Sequence, residues 1–120
     1  MTRAVLVVDD SATSRALVIR ALPVELRADL AQAANGLEAL EALRARSRDL
    51  ILLDLNMPKM DGYQLLEALH GTALPPVIVL SGDIQPLARD RVLALGARAF
   101  LKKPVDPKAL GVTLAELGVA

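Results

Sequence analysis

The sequence predicts an α/β fold: one doubly wound (βα)5 domain with a parallel five-stranded sheet and helices on both faces. Three observations carry this. Short apolar runs alternate five times with stretches of helical periodicity. The runs are continuously apolar, as strands are when helices cover both sheet faces. The links between elements are short, so successive strands lie parallel in right-handed units. Five such units in 120 residues suit an open sheet and are too few for a barrel.

Each element has its own local reason. Residues 4–8 read as the first strand, and 13–22 as a helix stopped by Pro23. Residues 28–33 form a weaker strand, and Asn35-Gly36 reads as a turn. Residues 37–46 are helical, with Leu37, Leu40 and Leu43 on one side and Glu38, Glu41 and Arg44 on another. Residues 50–53 are a strand and 62–69 a short helix. Residues 77–80 are a strand after Pro75-Pro76, and 86–95 a helix ended by Gly96. Residues 99–101 are a short strand. Residues 107–117 are the last helix, with Pro107 in its first turn and Leu110, Leu114 and Leu117 spaced along one face.

Composition narrows the function. The chain is 53% apolar and 23% charged, which marks it as globular. Basic and acidic residues number 14 each, so nothing favours a nucleic-acid partner. Without cysteine there is no disulfide framework and no thiolate metal site. The first apolar run is too short for a secretory signal, and charges interrupt every run before it reaches membrane-spanning length. A cytoplasmic protein is the expectation.

The chemistry lies at the carboxyl ends of the strands. The first runs into Asp9-Asp10, the third into Asp54, the fourth into Ser81 and the fifth into Lys102-Lys103. Open parallel sheets bind ligands outside these ends, where strand order reverses. With strand order 2-1-3-4-5, Asp9, Asp10 and Asp54 converge on one crevice, with Ser81 and a lysine beside them. Three close carboxylates repel one another and rise in pKa unless a cation intervenes. Mg²⁺ suits a site of few carboxylates and several waters. Carboxylates, a hydroxyl and an ammonium around such an ion suit phosphoryl transfer to an aspartate oxygen. Each residue alone has a plainer explanation. Asp9-Asp10 could cap a helix, Asp54 and Ser81 could be turn residues, and a lone lysine is usually just solvated. Their coincidence on one rim favours the chemical reading.

These motifs resemble the receiver domain of bacterial two-component response regulators, chemotaxis-regulator-like, over essentially the whole chain. The resemblance is carried by Val7-Val8-Asp9-Asp10-Ser11, by the run from Asp49 through Asp54, Met57-Pro58 and Asp61-Gly62, by Val79-Leu80-Ser81-Gly82, and by the run from Gly96 to Lys103-Pro104. It implies a flavodoxin-like fold with strand order 2-1-3-4-5. It implies that Asp54 takes a phosphoryl group from a sensor histidine kinase, a phosphotransfer protein or a small donor such as acetyl phosphate. Asp10 would bind Mg²⁺ (or Mn²⁺) directly and Asp9 chiefly through water, with Asp54 and the backbone carbonyl of Asn56 completing the metal site. Ser81 and Lys103, rather than Lys102, would contact phosphoryl oxygens. Ser81 and Phe100 would switch together, reshaping the surface of the fourth helix, fifth strand and fifth helix for a downstream protein or an attached output domain. Asn56 and Asp83 would tune dephosphorylation. A cis peptide is expected at Lys103-Pro104.

Tyr63 is expected to pack partly on the third helix, and His70 to lie at a surface helix end. Arg89, Arg91 and Arg98 leave open a weak phosphorylation-dependent dimer as an alternative to a monomer. Residues 1–120 read as a single domain, compatible with the N-terminal part of a longer regulator. The chain would catalyse only its own phosphorylation and dephosphorylation. A haloacid-dehalogenase-like phosphohydrolase fits less well, because its Asp-x-Asp-x-Thr-like motif and cap insertion are missing. A flavodoxin-like electron carrier would need a hydroxyl-rich phosphate loop and flavin-stacking aromatics. A receiver that binds partners without phosphorylation is the remaining alternative.

Overall fold

A computed structural model of the chain describes residues 2–82 and 85–120. Five strands, β1 (Val5–Val8), β2 (Leu30–Ala33), β3 (Leu50–Asp54), β4 (Val77–Ser81) and β5 (Ala99–Lys102), form one parallel sheet in the order β2-β1-β3-β4-β5. The helices are α1 (Ala12–Ala21), α2 (Gly36–Ala45), α3 (Gly62–Leu69), α4 (Pro86–Ala94) and α5 (Pro107–Glu116). The expected architecture and order are both present.

Alternate strand residues feed two separate cores. Leu6, Val8, Ile51, Leu53, Val77 and Val79 meet α2, α3 and α4 through Ala39, Leu65, Leu66 and Val92. Val5, Val7, Leu50, Leu52, Ile78 and Leu80 meet α1 and α5 through Val18, Leu110 and Leu114. The central strands therefore read as unbroken apolar runs because side chains on both faces are buried. β2, at one edge, is only partly buried and starts later than the sequence pattern predicts.

One local feature is added and two expectations are corrected. Pro23 ends α1 as predicted, but residues 24–27 then form a 3₁₀ turn. Asn35-Gly36 is a helix start rather than a free turn: Asn35 accepts a hydrogen bond from Glu38 N–H, and Glu38 accepts one from Ala34 N–H. Leu37 does not share a buried face with Leu40 and Leu43. It is exposed, and α2 instead buries Gly36 and Ala39.

α3 begins against the end of β3. Asp61 caps it in a reciprocal box with Gln64. Gly62 N–H donates to Leu55 O at 2.9 Å. A Cβ at Gly62 would lie 2.6 Å from Asp54 O, so only glycine allows this approach to the end of β3.

Candidate functional site

β1 and β3 are direct neighbours, with Val8 opposite Leu53, so each delivers its terminal acid to the same place. One carboxylate oxygen from each of Asp9, Asp10 and Asp54 lies within 4.8 Å of the others. Asp9 and Asp54 are buried and Asp10 is exposed. β4 contributes Ser81, fully buried and one residue beyond the Leu80 that pairs with Asp54. β5 leads into Lys103, whose N–H donates to Ser81 O at 2.8 Å. The Lys103-Pro104 bond is cis, as expected. The Lys103 ammonium lies 2.6 Å from Asp9 Oδ2 and 3.4 Å from Asp54 Oδ1. Lys102 is exposed.

The electrostatics divide the two buried acids. Burial pushes the Asp9 carboxyl up, but hydrogen bonds from Lys103, Ser14 and Ser11 N–H, with the Lys103 charge, outweigh it and hold Asp9 below the ordinary 3.8. Burial also pushes Asp54 up. There the Lys103 charge opposes it, the Asp9 charge adds to it, and the balance stays above 3.8. Repulsion among close acids raises their pKa values unless a cation intervenes. At Asp9 the Lys103 ammonium is such a cation, and it lies closer to Asp9 than to Asp54.

The donor set is entirely oxygen, which is the chemistry a hard divalent cation requires. The exposed Asp10 leaves one side open for a cation that keeps several waters. The residues present therefore fit a Mg²⁺ site.

Of the remaining expected residues, Asn56 is exposed on the loop after β3. Phe100, opposite Val79 on β5, is partly buried against the core under α2, α3 and α4. Asp83 lies outside the described residues. His70 is the exposed C-cap of α3. Tyr63 packs partly on the same core as Phe100, and the Arg91 guanidinium sits 4.0 Å from its ring centre. Arg91 also pairs with Glu67 at 3.2 Å, so that arginine is engaged within the chain.

Sequence reasoning missed three residues on the first turn of α1. Ser11, not Asp9 or Asp10, is the N-cap, accepting from Ser14 N–H. Ser14 Oγ contacts Asp9 and Lys103. Arg15 donates to Asp9 O at 2.6 Å and to Gln32 at 2.8 Å. The available signal was a helix starting directly after the acidic pair, which turns its third residue back toward the strand end.

The model of the response regulator receiver domain family matches residues 5–115. The chain is 39% identical over 114 residues to a protein-glutamate methylesterase/protein-glutamine glutaminase of Rhodospirillum rubrum, covering 93% of this chain and 31% of that protein. It spans less than half the length of several curated relatives it matches. Its structure resembles chemotaxis protein CheY4 of Vibrio cholerae, with TM-score 0.85, 31% identity and coverage of 98% and 99% of the two chains. It also resembles the CheX-CheY-BeF3-Mg²⁺ complex of Borrelia burgdorferi, with TM-score 0.88, 27% identity and coverage of 98% and 90%. A CheY-like sheet order, an acidic pocket at its switch point and a family match over nearly the whole chain agree: the chain belongs to the response regulator receiver domain family, the signalling switches of two-component systems.

Proposed function

We propose that this receiver is switched by phosphorylation of Asp54. The observation that carries this is the placement of Asp54. It ends β3 beside two further carboxylates, with the Lys103 ammonium 3.4 Å from one of its oxygens. Its carboxylate oxygen attacks the phosphorus of a phosphohistidine on a sensor kinase or phosphotransfer protein, or of a small acyl phosphate. An O–P bond forms while the P–N bond (or the P–O bond of the acyl phosphate) breaks. The leaving group departs with the bonding electron pair, and imidazole takes up a proton. Hydrolysis of the acyl phosphate on Asp54 returns the carboxylate and releases phosphate, so the only reaction is at the protein's own side chain.

Asp9, Asp10, Asp54 and the Asn56 carbonyl would hold Mg²⁺, which supplies charge neutralisation for the transferring oxygens when bound. Mn²⁺, with similar oxygen preference, would substitute. Lys103 and Ser81 bind phosphoryl oxygens, and Asn56 and Asp83 tune water attack. Ser81 lies on the strand paired with β5, two register steps from the Val79–Phe100 pair. A shift of Ser81 toward Asp54 is therefore coupled to Phe100 and to the surface of α4, β5 and α5, where a downstream protein or output domain docks. The Borrelia complex, whose name includes both a partner protein and BeF3-Mg²⁺, supports a site and surface of this kind.

The test is intact mass spectrometry after incubation with acetyl phosphate and Mg²⁺. One phosphoryl group should be added to the wild type and none to Asp54→Ala or to the chelator control. Addition that survives Asp54→Ala would overturn the assignment.

A further inference from the structure

We propose that Ser14 is a positioning residue that holds Lys103 against Asp9, and so sets how readily Lys103 turns to a negative group carried on Asp54. Ser14 Oγ lies 2.5 Å from Asp9 Oδ2 and 2.9 Å from Lys103 Nζ. The direction of each bond follows from donor inventory. An ammonium only donates and an ionised carboxylate only accepts. Ser14 therefore accepts from Lys103 and gives its single proton to Asp9. Lys103 also donates directly to the same Asp9 oxygen at 2.6 Å. The three groups close a ring of hydrogen bonds, and the ammonium comes to rest nearer Asp9 than Asp54.

The local fold makes this contact available. Ser11 caps α1, and Ser14 is the third residue of that helix, on its partly buried side. Asp9 Oδ1 is separately fixed by Ser11 N–H at 2.9 Å, so the carboxylate cannot swing away from the ring. Alanine at position 14 would remove one of the two paths joining Lys103 to Asp9 and leave the helix geometry intact. The inference rests on the reading of Asp54 given above. A phosphoryl group on Asp54 must draw the ammonium from its resting partners. Weakening the resting grip shifts that competition toward the phosphoryl-bound arrangement.

Two measurements test this on the whole chain. The first is binding of beryllofluoride, a phosphoryl mimic, in the presence of Mg²⁺, followed by fluorine NMR. Ser14→Ala should bind roughly three- to tenfold more tightly than wild type, the size of one charge-assisted hydrogen bond partly replaced by water. Ser14→Thr, which keeps the hydroxyl, should bind like wild type, and Asp54→Ala should not bind. The second is proton exchange of the Lys103 ammonium in the metal-free protein. It should be slow in wild type and Ser14→Thr and faster in Ser14→Ala. Equal or weaker beryllofluoride binding by Ser14→Ala, or unchanged ammonium exchange, overturns the role of Ser14 and leaves Asp54 as acceptor standing. Wild type failing to bind, or binding that survives Asp54→Ala, overturns the Asp54 reading itself.

Discussion

Asp9 and Asp54 are equivalent in the sequence, each an aspartate at the end of an apolar run, yet the structure shifts them in opposite directions. This makes a stability prediction with two signs. The folded protein holds a proton on Asp54 more tightly than the unfolded chain does. Its contribution is therefore favourable at low pH and lost as pH rises from 3.8 through the raised folded value. Asp9 is the reverse: its contribution is present above 3.8 and lost as pH falls through the lowered folded value. At neutral pH without divalent cation, Asp54→Asn should therefore raise the melting temperature, by an effect on the order of 1 kcal/mol or several degrees. Asp9→Asn should lower it by a similar amount or more, because it leaves Lys103 without its nearest partner. Calorimetry in chelator at neutral and acidic pH reads both signs: the Asp54→Asn effect should shrink as pH falls from the raised folded value toward 3.8, and the Asp9→Asn effect as pH falls below 3.8. Mg²⁺ should raise the melting temperature of wild type more than that of Asp54→Asn, since the variant presents one less negative ligand.

The elements that read most clearly in the sequence were those whose pattern has a single physical cause. The central strands are buried on both faces, which accounts for unbroken runs such as residues 50–53 between helical stretches. Less was legible where two causes produce the same letters. Asn-Gly serves a turn or a helix start, and only the Asn35–Glu38 exchange decides between them. Leu37 fits an apolar stripe by spacing, but α2 meets the sheet through smaller residues and leaves it outside. At the site, the acids and a lysine after β5 are legible because strand ends are fixed by topology, while the choice of Lys103 over Lys102 rests on the family resemblance. Ser14 is not legible, because its role depends on where α1 begins relative to Asp9. Gly62 offers a test at this scale. Ala at 62 would press on Asp54 O and Leu55, pushing α3 off the strand that carries the acceptor. Denaturant unfolding should show a loss of roughly 1–3 kcal/mol from this overpacking. Gly71 is a contrasting position, with φ 84° and open space around it. Alanine there should cost about 1 kcal/mol from backbone strain alone. In addition, Gly62→Ala should slow acetyl phosphate labelling, whereas Gly71→Ala should not.

Across the whole molecule the helices are not held equally. α3 buries Leu65 and Leu66, and α5 buries Leu110 and Leu114. α4 buries only Ala88 and Val92 and leaves Leu87 79% exposed. The smaller apolar area under α4 means less free energy opposes its local opening, at about 0.8 kcal/mol per buried methylene. Part of what holds it is lateral: Arg91 reaches α3 through the Tyr63 ring and Glu67. That contact is exposed and contributes modestly. α4 is thus cheaper to move than α3 or α5, and it shares with Phe100 the core beside β5. Hydrogen exchange should rank the helices accordingly, with α4 amides exchanging roughly ten- to a hundredfold faster than those of α3 and α5 in the unphosphorylated protein. Arg91→Ala should speed α4 further while leaving α5 unchanged. Beryllofluoride with Mg²⁺ should alter exchange in α4 and β5 and have little effect on β2, at the far edge of the sheet. Equal protection of α4 and α3, or a beryllofluoride response confined to the residues touching Asp54, would mean that the charge on Asp54 is not carried to this surface.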